Sequence, residues 1–307
     1  RARPVCIRDR YVHPISYKAM TWKDNDGENK KTLAKNRIVE DFMIVESAQN
    51  FECFDLARTS RKFNTKVYGI KVAIKNAKKT GIGLVAIKNS GHYGLSSFYA
   101  EQAVKKNLMV WCFTNAPPAI APHGSKKTLF GTNPIAFSWP RPGKNPIVFD
   151  MATASMAKGE IQIAARDGHS VPLGTGLSSS GELTTDASEI DKGVLLPFGG
   201  HKGSIIALMI ELLSGPLVGE TFSSETKERD NGDGGLAQGG QFILALSPEI
   251  CSGKDTSDQI EQFINKYNEN DGVRLPGSRR HKNREDKGPR QVNAELINTI
   301  ARLRDES

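Results

Sequence analysis

From Val67 to Lys79, apolar residues fall at Val67, Ile70, Val72, Ala73 and Ala77, and lysines fill the opposite face. This spacing predicts an amphipathic helix, ended by Gly81-Ile82-Gly83. Leu84 to Ile87 reads as a short apolar strand, Leu95 to Lys105 as a second helix, and Leu108 to Phe113 as a buried strand. Ile135 to Trp139 and Ile147 to Phe149 supply further strands. Ser204 to Leu213 is a strongly apolar helix with Gly203 near its start. A late strand is expected over Gln241 to Leu246 and a late helix over Ser257 to Tyr267. Helices alternating with strands argue for an α/β layer architecture. Before Val67 the periodicity is poor. Charged and amide residues crowd Lys23 to Arg37, and a helix is the reading for Ile38 to Ala57. Glu220 to Gly240, rich in Gly, Asp and Ser, reads as a surface loop. There is no internal repeat.

Bulk numbers narrow the class. At 307 residues the chain is long enough for two domains or one large one, and 38% apolar with 25% charged residues fits a soluble globular protein. No window approaches 18 consecutive apolar residues, so no membrane span is expected. No charged-then-apolar leader is read at Arg1, and a cytoplasmic protein is the expectation. Net charge is +8, and the stretch Arg274 to Arg290 alone carries seven Lys and Arg against two acidic residues. That basic stretch is either a solvated tail or part of a site for an anionic cofactor. It holds no aromatic residue, so nucleic acid is not an expected partner. Cys6, Cys53, Cys112 and Cys251 lie far apart without CxxC spacing, which argues against a metal site and for reduced, mostly buried thiols.

Two runs gather the groups that bind anions. One goes from His123-Gly124 through Gly131-Thr132-Asn133 to Phe137; the other is Pro197-Phe198-Gly199-Gly200-His201-Lys202-Gly203-Ser204. Both set exposed backbone amides and positive charge beside an apolar segment, which suits phosphate and carboxylate groups. Each singled-out residue also has a plain structural reading. His92, just after a strand, either caps the next helix or meets a ligand. Thr114 ends a strand, at the edge where α/β enzymes hold ligands. Asp150 either accepts from ribose hydroxyls or caps a helix starting near Thr153. Glu160 is either a surface glutamate or an orienting acid. His201-Lys202 is either an ordinary basic pair or an anion site at a helix start. No GxGxxG follows a strand, so the usual dinucleotide fold loses its main support.

Five passages read together resemble one family. They are His92-Tyr93-Gly94, Leu129 to Phe137, Ile147 to Thr153, Leu196 to Ser204, and Arg274 to Arg280. In wording and order they are similar to the type-2 malate/L-lactate dehydrogenases, and most to the bacterial Δ1-piperideine-2-carboxylate/Δ1-pyrroline-2-carboxylate reductases. The likeness runs from about Val67 to Arg280. It implies a nicotinamide-dependent oxidoreductase acting on a small imino or keto acid, with NADPH as cofactor and NADH as the other candidate. It also implies a non-Rossmann, mixed-sheet NAD(P)-binding domain over residues 61–214. A substrate and dimerisation domain built from residues 1–60 and 215–307 would flank it, and a homodimer partner would close the site.

Carried onto this chain, the likeness assigns cofactor contacts to His92, Tyr93, Gly94, Leu95, Ser96 and His123. Gly131, Thr132, Asn133, Asp150, Met151, Ala152, His201 and Lys202 continue them. Arg274, Leu275, Pro276, Gly277, Ser278, Arg279 and Arg280 complete them. Thr114 would lie near the substrate. Malate-type members tend to carry an aromatic residue where this chain has His201, which favours the imino-acid branch. The family's proton donor is a histidine in Ser-His-Gly-x-x-Arg. Here Asn25-Asp26-Gly27-Glu28-Asn29-Lys30 stands in that place. Asp26 would then be the donor, oriented by Asn25 and Glu160, with Lys30 pairing the substrate carboxylate. A carboxyl donor needs its pKa raised by burial. The rival readings are a malate- or lactate-type 2-keto acid dehydrogenase and a non-catalytic nucleotide-binding relative.

Overall fold

The structure, a computed structural model, describes residues 42–44, 51–55, 65–90, 94–226, 239–288, 297–298 and 301–302. Two short strands, β1 (Phe42–Ile44) and β2 (Phe51–Asp55), replace the helix expected over Ile38 to Ala57. The reason is the neighbour: β2 pairs parallel with β3 (Ile82–Ser90), Cys53 opposite Ala86, and sheet pairing overrides a weak local preference. Between them α1 (Thr65–Thr80) covers the predicted amphipathic stretch. Gly81 ends it at φ 92°, its N–H returning to the Ala77 carbonyl at 2.9 Å, a left-handed stop that favours glycine.

After β3 come α2 (Ser96–Val104), β4 (Met109–Thr114), β5 (Ile135–Trp139) and β6 (Ile147–Met151). A smaller lobe follows: α3 (Lys158–Asp167), β7 (Gly176–Leu177), β8 (Leu183–Thr184), α4 (Ala187–Lys192) and β9 (Val194–Leu195). Then come α5 (His201–Ser214), β10 (Gly239–Leu246), α6 (Pro248–Ser252), α7 (Ser257–Asn268) and α8 (Ser278–Glu285). The main sheet has the order β1-β2-β3-β10-β4-β5-β6, and every neighbouring pair is antiparallel except β2 with β3. The late strand β10 therefore lies at its centre, Ile243 between Val85 and Cys112. That corrects the division at residue 214. A domain built from residues 215–307 would lose β10 to the layer formed by residues 82–151, because β3 and β4 leave a gap that only β10 fills.

Helices α1 and α2 cover one face. Ile70, Ala73 and Ala77 meet Val85 and Ile87, while Tyr99, Ala100 and Ala103 meet Val110 and Ala136. Each fully buried Ile or Val here contributes roughly 1.5–3 kcal/mol. The other face is covered by α5, whose Ile210 packs with Ala86, Phe113, Ile135 and Phe242. About one turn earlier on the same buried side of α5, Ala207 packs into the smaller lobe, beside Ile120, Phe130, Ile161 and Ile190. This helix is thus the shared wall of two cores. By length and composition His201–Val218 is the one described stretch apolar enough to cross a membrane. It is not one helix, since Gly215 interrupts it before a 3₁₀ turn, and it encloses the buried carboxylate of Glu211. The thiols divide: Cys112 is buried as expected, but Cys251 is exposed on α6.

Candidate active site

The two runs rich in glycine, histidine and lysine, some seventy residues apart in the chain, meet at the start of α5. His123 donates its backbone N–H to Ser204 Oγ at 3.1 Å, and the His123 and His201 rings lie 6.1 Å apart. Gly199 and Gly200 both take positive φ, 57° and 62°, so the backbone doubles back without a side chain in the way. A Cβ on Gly200 would stand 3.2 Å from the His123 ring. His123, His201 and Lys202 are all exposed, and among the described residues none is paired with a carboxylate. The result brings two imidazoles and one ammonium together at the start of α5, whose Lys202, Gly203 and Ser204 N–H groups are already bonded to the Gly199, Phe198 and Gly200 carbonyls at 3.4, 3.0 and 3.2 Å.

A hydrogen-bonded chain joins this cleft to the other sequence-predicted passages. Phe198 N–H bonds the Thr153 carbonyl at 3.0 Å, and Thr153 N–H bonds the Thr132 carbonyl at 2.9 Å. Asp150 lies just upstream on β6 and accepts from Ser97 N–H at 2.7 Å. Gly94, Leu95 and Ser96 lead directly into that turn, and Leu95 and Met151 are exposed. On the far side of β6, Val148 N–H bonds the Pro276 carbonyl at 3.2 Å. Gly277, at φ 94°, sits so close that a Cβ would lie 3.0 Å from Val148 O. The chain at Pro276 and Gly277 therefore lies along the sheet edge at Val148, two residues before Asp150 on β6. Its continuation α8 is clamped by Glu101, which binds Arg284 at 2.6 and 3.0 Å and Arg280 at 3.7 Å. Arg274 and Arg279 remain exposed.

Several expected site residues turn inward instead. Asn133 is fully buried; its amide donates to Glu211 Oε1 at 2.8 Å and to the Ala207 carbonyl at 3.2 Å, so its donors are not offered to a ligand. Thr114 is 6% exposed, its hydroxyl bonded to the Gly240 carbonyl at 2.9 Å within the sheet, which removes it from a substrate surface. Asp150 caps a helix, but it is α2 rather than one starting at Thr153. The α2 N-cap is Leu95, which has no side-chain acceptor, so a carboxylate from across the sheet satisfies that free N–H. Glu160 stands exposed in the first turn of α3. Gly131 is buried against the Ala116 carbonyl, where a Cβ would come within 2.2 Å. Asn25, Asp26, Lys30, His92 and Tyr93 lie outside the described residues.

Sequence reasoning passed over Glu211. It is the one charged residue inside the otherwise apolar run Ser204 to Leu213, a signal that was legible. The clearest pKa displacement belongs elsewhere. Hydrogen bonds from Arg141 and Lys144 hold Glu261 down to about 2. That cluster ties α7 to the β5–β6 turn and shares no residue with the cleft, so it is a structural clamp. Among the described residues no cluster of His, Cys, Asp or Glu is arranged to hold a metal.

A family model described as malate/L-lactate dehydrogenase matches residues 63–300. A Δ1-pyrroline-2-carboxylate reductase of Ancylobacter novellus is 39% identical over 220 residues, 71% of this chain and 64% of that protein. A (2R)-3-sulfolactate dehydrogenase (NADP+) of Chromohalobacter salexigens is 36% identical over 232 residues, 76% of this chain and 69% of its own. The chain thus spans just under two thirds of the Ancylobacter relative. Among solved structures, the Δ1-piperideine-2-carboxylate reductase of Pseudomonas syringae pv. tomato superposes with a TM-score of 0.76 at 32% identity. That superposition covers 84% of this chain and 78% of that one.

Proposed function

This chain belongs to the malate/L-lactate dehydrogenase family, and from that premise we propose that it reduces a cyclic 2-imino acid with NADPH. Δ1-Piperideine-2-carboxylate would give L-pipecolate, and Δ1-pyrroline-2-carboxylate would give L-proline. The observation that carries the reading is the convergence of the His123 loop and the His201-Lys202 helix start into one unpaired cationic cleft. The donor set fits a dinucleotide phosphate: Lys202 as a compact cation and the imidazoles of His123 and His201 beside it. When bound, NADPH supplies the hydride that reduces the substrate at C2. Asp150 orients the ribose with the carboxylate oxygen that Ser97 does not occupy. Arg279 adds charge for a 2′-phosphate from the neighbouring edge, which is the basis for preferring NADPH over NADH. Lys30 holds the substrate carboxylate as a point charge, and Asp26, oriented by Asn25 and Glu160, delivers the proton.

The protein is read as a homodimer. Ile205, Leu208, Met209 and Leu212 form an exposed apolar strip at i, i+3, i+4 and i+7 on α5, of the kind a partner covers. A second reading, reduction of a 2-oxo acid, is favoured by the similarity to the sulfolactate dehydrogenase. Rates of NADPH oxidation with Δ1-piperideine-2-carboxylate, pyruvate, oxaloacetate and 3-sulfopyruvate separate the two. The imino acid should lead in kcat/KM by about tenfold, near 1.4 kcal/mol in transition-state binding. A keto acid leading by that margin moves the protein to the second reading. Cofactor binding without turnover of any of the four leaves a nucleotide-binding relative.

A further inference from the structure

Glu211 lies ten residues beyond His201 on α5 and is 3% exposed. A carboxylate so deep is costly unless hydrogen bonds replace its hydration. Here neutral donors from two loops do so. Oε1 receives the Asn133 amide at 2.8 Å and Gly131 N–H at 3.3 Å, and Oε2 receives Ser223 N–H at 3.0 Å. Bonds to an ionised acceptor are roughly twice as strong as neutral ones. The helix that presents His201 and Lys202 is thereby locked to the 131–133 turn.

Ser223 closes a short strap, Glu220 to Ser223, and each end of the strap is tied down. Glu220 Oε2 receives the N–H of Asn89, the positive-φ residue near the end of β3, at 2.6 Å. The Thr221 carbonyl receives the Asn115 amide at 2.9 Å at the end of β4, and Asn115 Oδ1 in turn holds Gly240 N–H at 2.8 Å. One four-residue stretch is thus bonded to the ends of β3 and β4 and, through Glu211, to the 131–133 turn.

We propose that Glu211 and Glu220 are positioning residues of the cofactor site. They hold the loops that carry it in register through the strap, and neither touches the ligand. The inference rests on the NADPH reading above. A Gln at either position keeps the shape but turns one acceptor oxygen into a donor facing another donor. Glu211→Gln and Glu220→Gln should each weaken NADPH binding by about tenfold, while kcat at saturating cofactor stays within about threefold. Because both act on one strap, the double variant should lose less than the product of the two single losses.

NADPH Kd is measured by fluorescence titration on the full chain, with unfolding midpoints alongside. Glu261→Gln, remote from the cleft, is the control for a general loss of stability. Wild-type Kd in either folded variant overturns the inference, as does a double variant whose losses simply multiply. So does an equal loss of affinity in Glu261→Gln. If Glu211→Gln does not fold, Glu220→Gln, nearer the surface, carries the test alone. Wild-type protein that binds neither NADPH nor NADH overturns the cofactor reading itself. Unchanged binding in the variants overturns only the positioning role.

Discussion

Replacing Gly203 by Ala opposes two well-defined effects. Gly203 is the third residue of α5, and on helix propensity alone the change should stabilise by up to about 1 kcal/mol. The structure argues the other way. A Cβ there would stand 2.2 Å from Phe198 O and 2.9 Å from Phe198 N, both backbone atoms that cannot rotate aside. It would fall about 0.8 Å short of the 3.0 Å below which real Cβ contacts essentially do not occur. Overpacking of this kind costs roughly 1–3 kcal/mol, enough to cancel the propensity gain and leave a net loss of up to about 2 kcal/mol. For a chain of this size that is a fall in Tm of up to roughly 6 °C. Gly159→Ala is the matched comparison, since Gly159 lies in α3 with nothing within 4 Å of its would-be Cβ. It should gain up to about 1 kcal/mol. Thermal and urea unfolding of the two variants decide the matter. The turn pushed by the new Cβ also holds Lys202, so Gly203→Ala should weaken NADPH binding and Gly159→Ala should not. If Gly203→Ala stabilises as much as Gly159→Ala, the close approach at Phe198 is not present and the geometry of the cleft is wrong.

Lys202→Ala should weaken NADPH by roughly 1–3 kcal/mol if the ammonium meets a desolvated phosphate; an unchanged Kd by fluorescence titration removes it from the site. Glu261 has its folded pKa depressed to about 2, mainly by the Arg141 hydrogen bond, so it contributes stability above the ordinary carboxylate pKa and loses it as pH falls through 2. Tm should therefore decline more steeply below about pH 4.5 in wild type than in Glu261→Gln, by the order of 1 kcal/mol expected of a well-formed surface pair; parallel profiles would contradict this. For the proposed dimer, Leu208→Asp should give monomer in light scattering, and a dimer unaffected by it places the interface elsewhere. Asp26→Ala should lose most turnover, roughly 10²–10⁴-fold, while still binding NADPH; full activity would put the proton donor at another residue.

Wherever local chemistry decides, the sequence was a good guide. The helix over Val67 to Lys79 needed only its apolar spacing and the left-handed glycine after it, and Ile135–Trp139 was bounded to the residue. The wording of the His123 and His201 runs singled out two segments rich in glycine, histidine and lysine, and the structure brings them together at the start of α5. Tertiary structure alone decided what those residues face. β10 lies at the centre of the sheet, because strand order follows from packing and ladder pairing between distant segments, which no local pattern records. The same reason removed Asn133 and Thr114 from the ligand surface. A short polar side chain looks alike in sequence whether it faces a cleft or a buried partner, and here Glu211 and the Gly240 carbonyl were the partners. Asp150 shows the limit most plainly. The sequence left it between a ribose acceptor and the cap of a helix near Thr153, and only the fold could bring the N–H of Ser97, 53 residues away, to donate to it.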